Sequence, residues 1–291
     1  MKNIIKLICA AVTAICVPPS YPEGINANSL WGRFDFMEEY YFEQDLQTFS
    51  NHRNNGFRDK YLMSAQTIFQ TMLISYDDFL HFGLLYINGL GMGRQNEAIL
   101  FDPQEVGYSI IPFLEYRRNE IFFQTGLDHS CFHEVDRLTR PTAYWNKAYI
   151  RASSANYRYQ QMKIHYIDEG RTGYLDNLRW SAWAGYFIRE FGGMDVTLLS
   201  GGHPWSATAG VDAGYSFYRT KSWMFSGRNQ IEAFADTAGT GYWAGVLGIE
   251  ADVYNRKHSF GVFINYNYEF PGVMPLFGKD QLIEFGIRFR Y

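Results

Sequence analysis

The last nine residues of the chain, residues 283–291, alternate apolar with polar or small side chains and end on an aromatic residue. Successive side chains of a strand point to opposite faces. The alternation therefore gives an apolar face (Ile283, Phe285, Ile287, Phe289, Tyr291) and a polar face (Glu284, Arg288, Arg290). An apolar strand that ends the chain is prone to aggregation unless another strand pairs with it. Closure into a barrel would supply that partner.

The same alternation recurs through the chain. It is strongest in residues 260–270, 243–253 and 207–217, where one side is large and uncharged and the other carries glycines, acids and amides. Weaker patterns predict strands near residues 230–236, 177–190, 161–167, 148–159, 120–130, 105–117, 79–91, 60–75 and 29–42. Residues 131–147 are expected to form a surface loop. We therefore predict an all-β fold, a transmembrane antiparallel β-barrel of about 12 strands.

The beginning of the chain has the pattern of a signal peptide. Lys2 and Lys6 precede an apolar run over residues 7–17, which two prolines then end. We expect residues 1–27 to contain the signal peptide and a short N-terminal segment, with the cleavage point open, and residues 28–291 to form one barrel domain. The terminal strand resembles the C-terminal recognition signal of bacterial outer-membrane barrels. Together these features predict export to the bacterial outer membrane.

The composition agrees with a membrane barrel. Aromatic residues make up 18% of the chain, more than a soluble core requires, and aromatic girdles at two membrane interfaces would use them. A soluble sandwich also alternates, but the signal peptide and the aromatic terminus favour the membrane barrel. The net charge of -4 gives no reason to expect a nucleic-acid partner. The expected partners are outer-membrane lipids and the barrel-assembly machinery, the latter through the strand ending at Tyr291.

One segment, residues 126–137, concentrates reactive side chains, and it gives a candidate catalytic set of Asp128, His129, Ser130 and Cys131. A hydroxyl or thiol nucleophile needs a base within hydrogen-bond reach, and the base needs an orienting group. His129 and Ser130 are neighbours, so on a strand they would point to opposite faces. His129 and Cys131 share a face, and the alternation from Ile121 to Leu127 predicts that this face is the lipid side.

The same segment allows two further interpretations. His133, Glu134 and Asp136, with His129, could bind a divalent metal such as zinc, and no other cofactor is expected. Alternatively, these polar groups anchor a ligand, or they hydrogen-bond to one another and to neighbouring arginines to order the barrel rim. Charge clusters of this kind in barrels are commonly structural.

The spacing His129-x-Cys131 resembles the His-x-Ser arrangement of the outer-membrane phospholipase family, which is also a barrel of about 12 strands, although cysteine replaces the serine. The resemblance implies a membrane-embedded lipid hydrolase. A second, partial resemblance over residues 120–160 is to the uncharacterised outer-membrane family DUF1207. It rests on His129-x-x-x-His133-x-x-Asp136, and Cys131 and Phe132 stand where that family has two serines. This resemblance implies no activity.

The sequence alone therefore favours a barrel without demonstrable enzyme activity, serving a structural role or the passive transport of small solutes. The alternative is an esterase of phospholipid or lipid A that uses His129 with Cys131 or Ser130. The alternation separates His129 from Ser130 and so weakens the most obvious catalytic pair.

Overall fold

The computed structural model describes residues 34–51, 63–77, 79–95, 99–135, 143–154, 157, 177–188, 205–220, 222–254, 258–268 and 282–291. These residues form twelve strands: β1 (Phe34–Asn51), β2 (Met63–Tyr76), β3 (Leu80–Gln95), β4 (Ile99–Arg118), β5 (Ile121–Glu134), β6 (Ala143–Ser154), β7 (Leu178–Phe187), β8 (Trp205–Arg219), β9 (Trp223–Asp236), β10 (Gly241–Tyr254), β11 (Ser259–Tyr268) and β12 (Leu282–Arg290). The predicted signal peptide lies outside the described residues. In the part of the chain that is described, no helix is long and apolar enough to cross a membrane.

The twelve strands form a closed barrel, which confirms the predicted fold class. Each strand lies beside its neighbours in the chain, and β1 pairs antiparallel with β12 to complete the circle. The β1–β12 pairing runs from Glu43 opposite Arg290 to Asn51 opposite Leu282. Beyond it, the backbones of Phe42 and Tyr291 exchange two hydrogen bonds of 2.8 Å. The terminal strand is thus paired on both sides, and the edge expected from the sequence is removed.

Strand boundaries differ from the predictions in the middle of the chain. The prediction of a loop over residues 131–147 is wrong at both ends, because β5 continues to Glu134 and β6 already begins at Ala143. The outward side of early β6 carries Asn146 and Ala148, so the apolar alternation that marks other strands is weak there. The strand predicted over residues 161–167 lies outside the described residues.

The two faces of the wall have opposite character. Large apolar side chains are exposed on the outside: Leu80, Phe82, Ile110, Leu114, Ile121, Leu127, Ile150, Val211, Phe217, Trp223, Phe225, Ile231, Trp243, Leu247, Ile249, Val253, Phe260, Val262, Ile264, Phe285, Ile287 and Phe289. On β12 the lumenal Arg288 and Arg290 are only 5% and 2% exposed. An apolar outside with a polar, charged inside is the arrangement required of a barrel in lipid.

Aromatic rings fill the lumen where glycines leave room. Gly286 lies opposite Phe263, and a Cβ added to Gly286 would sit 2.2 Å from the Phe263 ring. Gly83 and Phe113 are paired in the same way, at 2.4 Å. Phe113 belongs to a buried apolar cluster that occupies one side of the lumen (Tyr41, Ile68, Met72, Leu85, Ile111, Phe113, Tyr149). Each ring covers the exposed backbone of its glycine partner, so both positions are sterically restricted to glycine.

A group of six charges, of which five are buried and one, Glu250, is partly buried, joins the first and last strands inside the lumen. We call it the seam cluster: Glu43, Asp45, Glu250, Asp252, Arg288 and Arg290. Arg288 donates to both carboxylate oxygens of Asp45 at 2.7 Å and to Glu250 at 3.1 Å. Arg290 donates to Glu43 at 3.0 Å, to Asp252 at 2.9 Å and to Glu250. Each arginine of β12 therefore bonds to carboxylates on both β1 and β10, and the cluster links these three strands.

The two ends of the barrel differ in their connections. The end that holds Tyr291 carries tight turns after β2, β4 and β8, and also the longer connection after β6. Asp77 and Asn119 have φ values of 46° and 53° in two of these turns, a conformation that Asp and Asn tolerate. The opposite end carries the longer connections over residues 52–62, 135–142, 189–204 and 269–281, and also the short ones over residues 96–98 and 237–240. Tight turns usually face the periplasm, so we predict that this second end is the exterior one.

Candidate functional site

The reactive segment lies on β5, between β4 and β6, and its side chains separate to the two faces of the wall. Asp128 and Ser130 are buried on the lumenal face, whereas His129 is exposed on the outer face. Cys131 has the same parity as His129 and also belongs to the outer face. The structure therefore brings His129 and Cys131 to one surface and does not bring Ser130 or Asp128 to it.

On the lumenal face, polar side chains bridge three strands. The hydroxyls of Ser109 on β4 and Ser130 on β5 are 2.7 Å apart, and Ser130 donates to Asp128. Lys147 on β6 places its ammonium 3.1 Å from the other oxygen of Asp128. Asp128 and Lys147 are direct register partners. These contacts fix the alignment of β4, β5 and β6 from inside the barrel.

On the outer face, His129 forms a hydrogen bond with Asn146, its direct register partner on β6. The Nδ1 atom of His129 lies 2.9 Å from Oδ1 of Asn146. An amide oxygen can only accept, so Nδ1 carries the proton and donates it. The other ring nitrogen, Nε2, is then the basic one, and the bond to Asn146 fixes both the tautomer and the orientation of the ring.

Cys131 lies between two tyrosines on the same face. Its register partners are Tyr108 on β4 and Tyr144 on β6, and the Tyr108 hydroxyl is a neighbour of the thiol. Cys131 is a free cysteine and is 7% exposed. Two residues along a strand span roughly 7 Å, which is the backbone separation of Cys131 and His129 along this face. A nucleophile, a base and an orienting amide thus occupy one surface.

This surface lies where the aliphatic band of the barrel ends. Ile110, the register partner of His129, is 41% exposed, and Leu127 and Ile150, on the side nearer the turn between β4 and β5, are 52% and 44% exposed. On the other side the outer face carries Tyr108 and Tyr144. Tyrosines are enriched at the depth where hydrocarbon meets the headgroups. We therefore predict that the His129 surface lies at the membrane interface of the exterior end.

Inside the barrel, a cavity of about 340 Å³ adjoins the seam cluster on the side of the long connections. It is lined by polar side chains from most of the circumference, including Gln47, Ser64, Ser109, Ser130 and Asn267. A second, smaller cavity of about 30 Å³ lies beside Arg288 and Arg290, where Arg179, Asp212, Arg228 and Tyr157 also line the lumen.

The proposed metal ligands fall only partly within the described structure. His129 lies on the outer face, while the side chains of His133 and Glu134, and all of Asp136, lie outside the described residues. Among the residues that are described, no three His, Cys, Asp or Glu side chains come close enough together to hold a metal ion. The metal site remains a prediction.

Two residues of this surface were not identified from the sequence. Asn146 fell inside the loop expected over residues 131–147, and Tyr108 is one of 22 tyrosines in the chain. Large side chains at Trp145, Lys147 and Tyr149 alternate with smaller ones at Asn146 and Ala148. This alternation indicates a strand in which Asn146 and Ala148 share one face. Its partnership with His129 depends on the register of β5 against β6, which no local pattern specifies.

The closed antiparallel barrel, with an apolar outside and a charged lumen, defines the class of outer-membrane β-barrel proteins. Within that class, the fold is similar to outer membrane phospholipase A of Escherichia coli, with a TM-score of 0.53, 12% identity, and coverage of 86% of this chain and 91% of that chain. The Salmonella typhi outer membrane phospholipase, solved as a dimer with bound calcium, gives a TM-score of 0.51, 13% identity and coverage of 86% and 89%.

An active-site variant of the Escherichia coli protein, in which an asparagine is replaced by alanine, gives a TM-score of 0.52 at 11% identity and covers 95% of both chains. At these identities the likeness concerns the fold. No protein-family model matches the chain, so the resemblance to DUF1207 remains a prediction. No curated protein matches it in sequence.

Proposed function

We propose that the protein is a membrane-embedded acyl-ester hydrolase of lipids, with Cys131 as nucleophile, His129 as base and Asn146 as the orienting group. The observation that carries the proposal is the 2.9 Å bond from His129 Nδ1 to Asn146 on the lipid-facing surface. An exposed imidazole has no structural need for a fixed tautomer, whereas a general base does. The Cys-His-Asn combination is a known variant of the nucleophile, base and orienting-group arrangement.

The reaction proceeds in two steps. Nε2 of His129 takes the thiol proton of Cys131 as Sγ attacks the ester carbonyl, and collapse of the tetrahedral intermediate expels the alcohol, which recovers that proton. The acyl group is then a thioester on Cys131. His129 next deprotonates a water that attacks the thioester, and the products are a free fatty acid and the restored thiol. Asn146 holds the imidazole in one orientation through both steps.

The position of the surface supports a lipid as substrate. The ester bonds of phospholipid and lipid A lie between headgroup and hydrocarbon, at the depth of the tyrosines around Cys131. The exterior end of the barrel faces the outer leaflet. The similarity in fold to outer membrane phospholipase A, and the presence of an asparagine in the active site of that protein, agree with the proposal.

Fatty-acid release from reconstituted vesicles tests this function. The full chain is incorporated into phospholipid vesicles, or into vesicles that also contain lipid A, and free fatty acid is measured over time. Methyl methanethiosulfonate should stop the release in proportion to the fraction of Cys131 modified, and dithiothreitol should restore it. Release from neither lipid, or release that persists after complete modification of Cys131, would overturn the proposal.

A second candidate function is the passive passage of small solutes, which the lumenal cavity of about 340 Å³ favours. The seam cluster opposes it, because its charged side chains and the buried apolar cluster occupy the lumen. We expect single-channel conductance in planar bilayers to be below that of an open porin. Stable openings of porin size would favour transport, and they would show that the charged groups around Arg288 leave a continuous path.

A further inference from the structure

A thiol that attacks an ester needs a donor for the oxyanion of the tetrahedral intermediate. The backbone around Cys131 is poorly placed to supply it, because Cys131 and Phe132 are paired on both sides, with Tyr108 and Gly107 of β4 and with Tyr144 and Ala143 of β6. Backbone N–H groups within a two-sided ladder are already committed to neighbouring carbonyls. The donor must therefore come from a side chain on the outer face.

Tyr108 meets this requirement. It lies directly opposite Cys131 on the neighbouring strand and points to the same outer face, so its hydroxyl and the thiol are neighbours. When Sγ bonds to the carbonyl carbon of a substrate, the carbonyl oxygen is one further bond away from the sulfur. A hydroxyl next to Sγ is therefore close to the position that this oxygen would occupy.

We propose that Tyr108 is a catalytic residue that donates its hydroxyl hydrogen to the oxyanion formed when Cys131 attacks a lipid ester. This inference rests on the proposed hydrolase function and adds a role for a third strand, so the site draws on β4, β5 and β6. In the resting protein the Tyr108 hydroxyl lies next to the thiol, and in the reaction it donates to the substrate oxygen.

The chain offers a matched control in Tyr86. It lies on β3, on the same outer face, close enough to Tyr108 for the two hydroxyls to influence each other, and its register partner is Ile110. Tyr86→Phe removes one hydroxyl from the same girdle, as Tyr108→Phe does. The two variants therefore differ in whether the missing hydroxyl contacts Cys131.

The test compares ester turnover with a reaction of the same thiol that forms no oxyanion. In phospholipid vesicles, Tyr108→Phe should lower kcat for fatty-acid release by about 10²- to 10³-fold with little change in KM, the usual loss for one oxyanion donor. Methyl methanethiosulfonate modifies Cys131 by displacement at a sulfur atom, which forms no oxyanion. The rate of this modification should therefore differ by less than about threefold between Tyr108→Phe and wild type. Tyr86→Phe should match the wild type in both measurements.

Three outcomes separate the possibilities. Equal kcat in Tyr108→Phe and wild type overturns the role of Tyr108 while leaving the hydrolase intact. A similar fall in both ester turnover and thiol modification also overturns it, because Tyr108 would then act on the reactivity of the thiol. Absence of turnover in the wild type instead refutes the proposed function itself. The heat-modifiable migration of each folded barrel on electrophoresis verifies that the variants are folded.

Discussion

Replacing Cys131 by alanine should reduce fatty-acid release by at least about 10³-fold, whereas replacing the adjacent Ser130 by alanine should leave it within about twofold. Removal of a nucleophile eliminates the covalent step, and only weak background catalysis remains. Ser130 lies on the lumenal face, where its hydroxyl contacts Ser109 and Asp128. Asp128 keeps its ion pair with Lys147 in the Ser130→Ala variant, so the strands stay aligned.

The two alanine variants form a matched pair, because they remove one polar atom each from adjacent residues of β5. Release is measured in the same vesicles at equal amounts of folded barrel. Loss of activity in Ser130→Ala with retention in Cys131→Ala would show that the lumenal hydroxyl is the nucleophile and would refute the outer-face site. Retention in both variants would place the chemistry elsewhere in the chain.

The second large effect concerns the seam cluster. Replacing Arg288 by leucine should lower the free energy of unfolding by about 3–5 kcal/mol, because removal of one member of a buried ion pair leaves charges without compensation. Arg288 is the bidentate partner of Asp45 and also bonds to Glu250. The expected result is a lower urea midpoint and loss of the compact, unheated band on electrophoresis.

Two further variants test this prediction, one as a matched control and one as a compensating double substitution. Arg118→Leu removes the same charge from an exposed position at the end of β4 and should change stability by less than about 0.5 kcal/mol. Adding Asp45→Leu to Arg288→Leu should recover part of the loss, because an apolar pair replaces the ion pair without leaving an unpaired charge. If Arg288→Leu and Arg118→Leu have the same midpoint, the seam cluster does not stabilise closure.

Much of the fold follows from the two-residue alternation of apolar and polar side chains in the sequence. The alternation around Phe285 and Arg288 fixed which side of β12 faces lipid, and the same rule placed strands near most of the observed positions. It failed over residues 131–147, where the outward positions of β6 are small or polar. Hydrophobic periodicity reports burial in lipid, so a strand whose outer face carries functional groups gives little signal.

The site was predictable only within one strand. Parity alone separated His129 from Ser130, and the described structure has His129 exposed and Ser130 buried; a catalytic pair of His129 with Cys131 stays a prediction. Asn146 lies 17 residues from His129 along the chain and bonds to it through the pairing of β6 with β5, and Tyr108 lies opposite Cys131 through the pairing of β4 with β5. Register between strands depends on turns and on distant contacts, such as the pair of Lys147 with Asp128, which a single sequence does not display.

The seam cluster also has a consequence for how the chain matures. Asp45 and Arg288 are 243 residues apart, so the acids of β1 obtain their arginine partners only when the final strand arrives. Before β12 pairs with β1, Glu43 and Asp45 are expected to lack the arginine contacts of the closed barrel, and inward charge of this kind discourages pairing with foreign strands. The residues that hold the finished barrel closed would then also disfavour wrong pairing of its first strand during assembly.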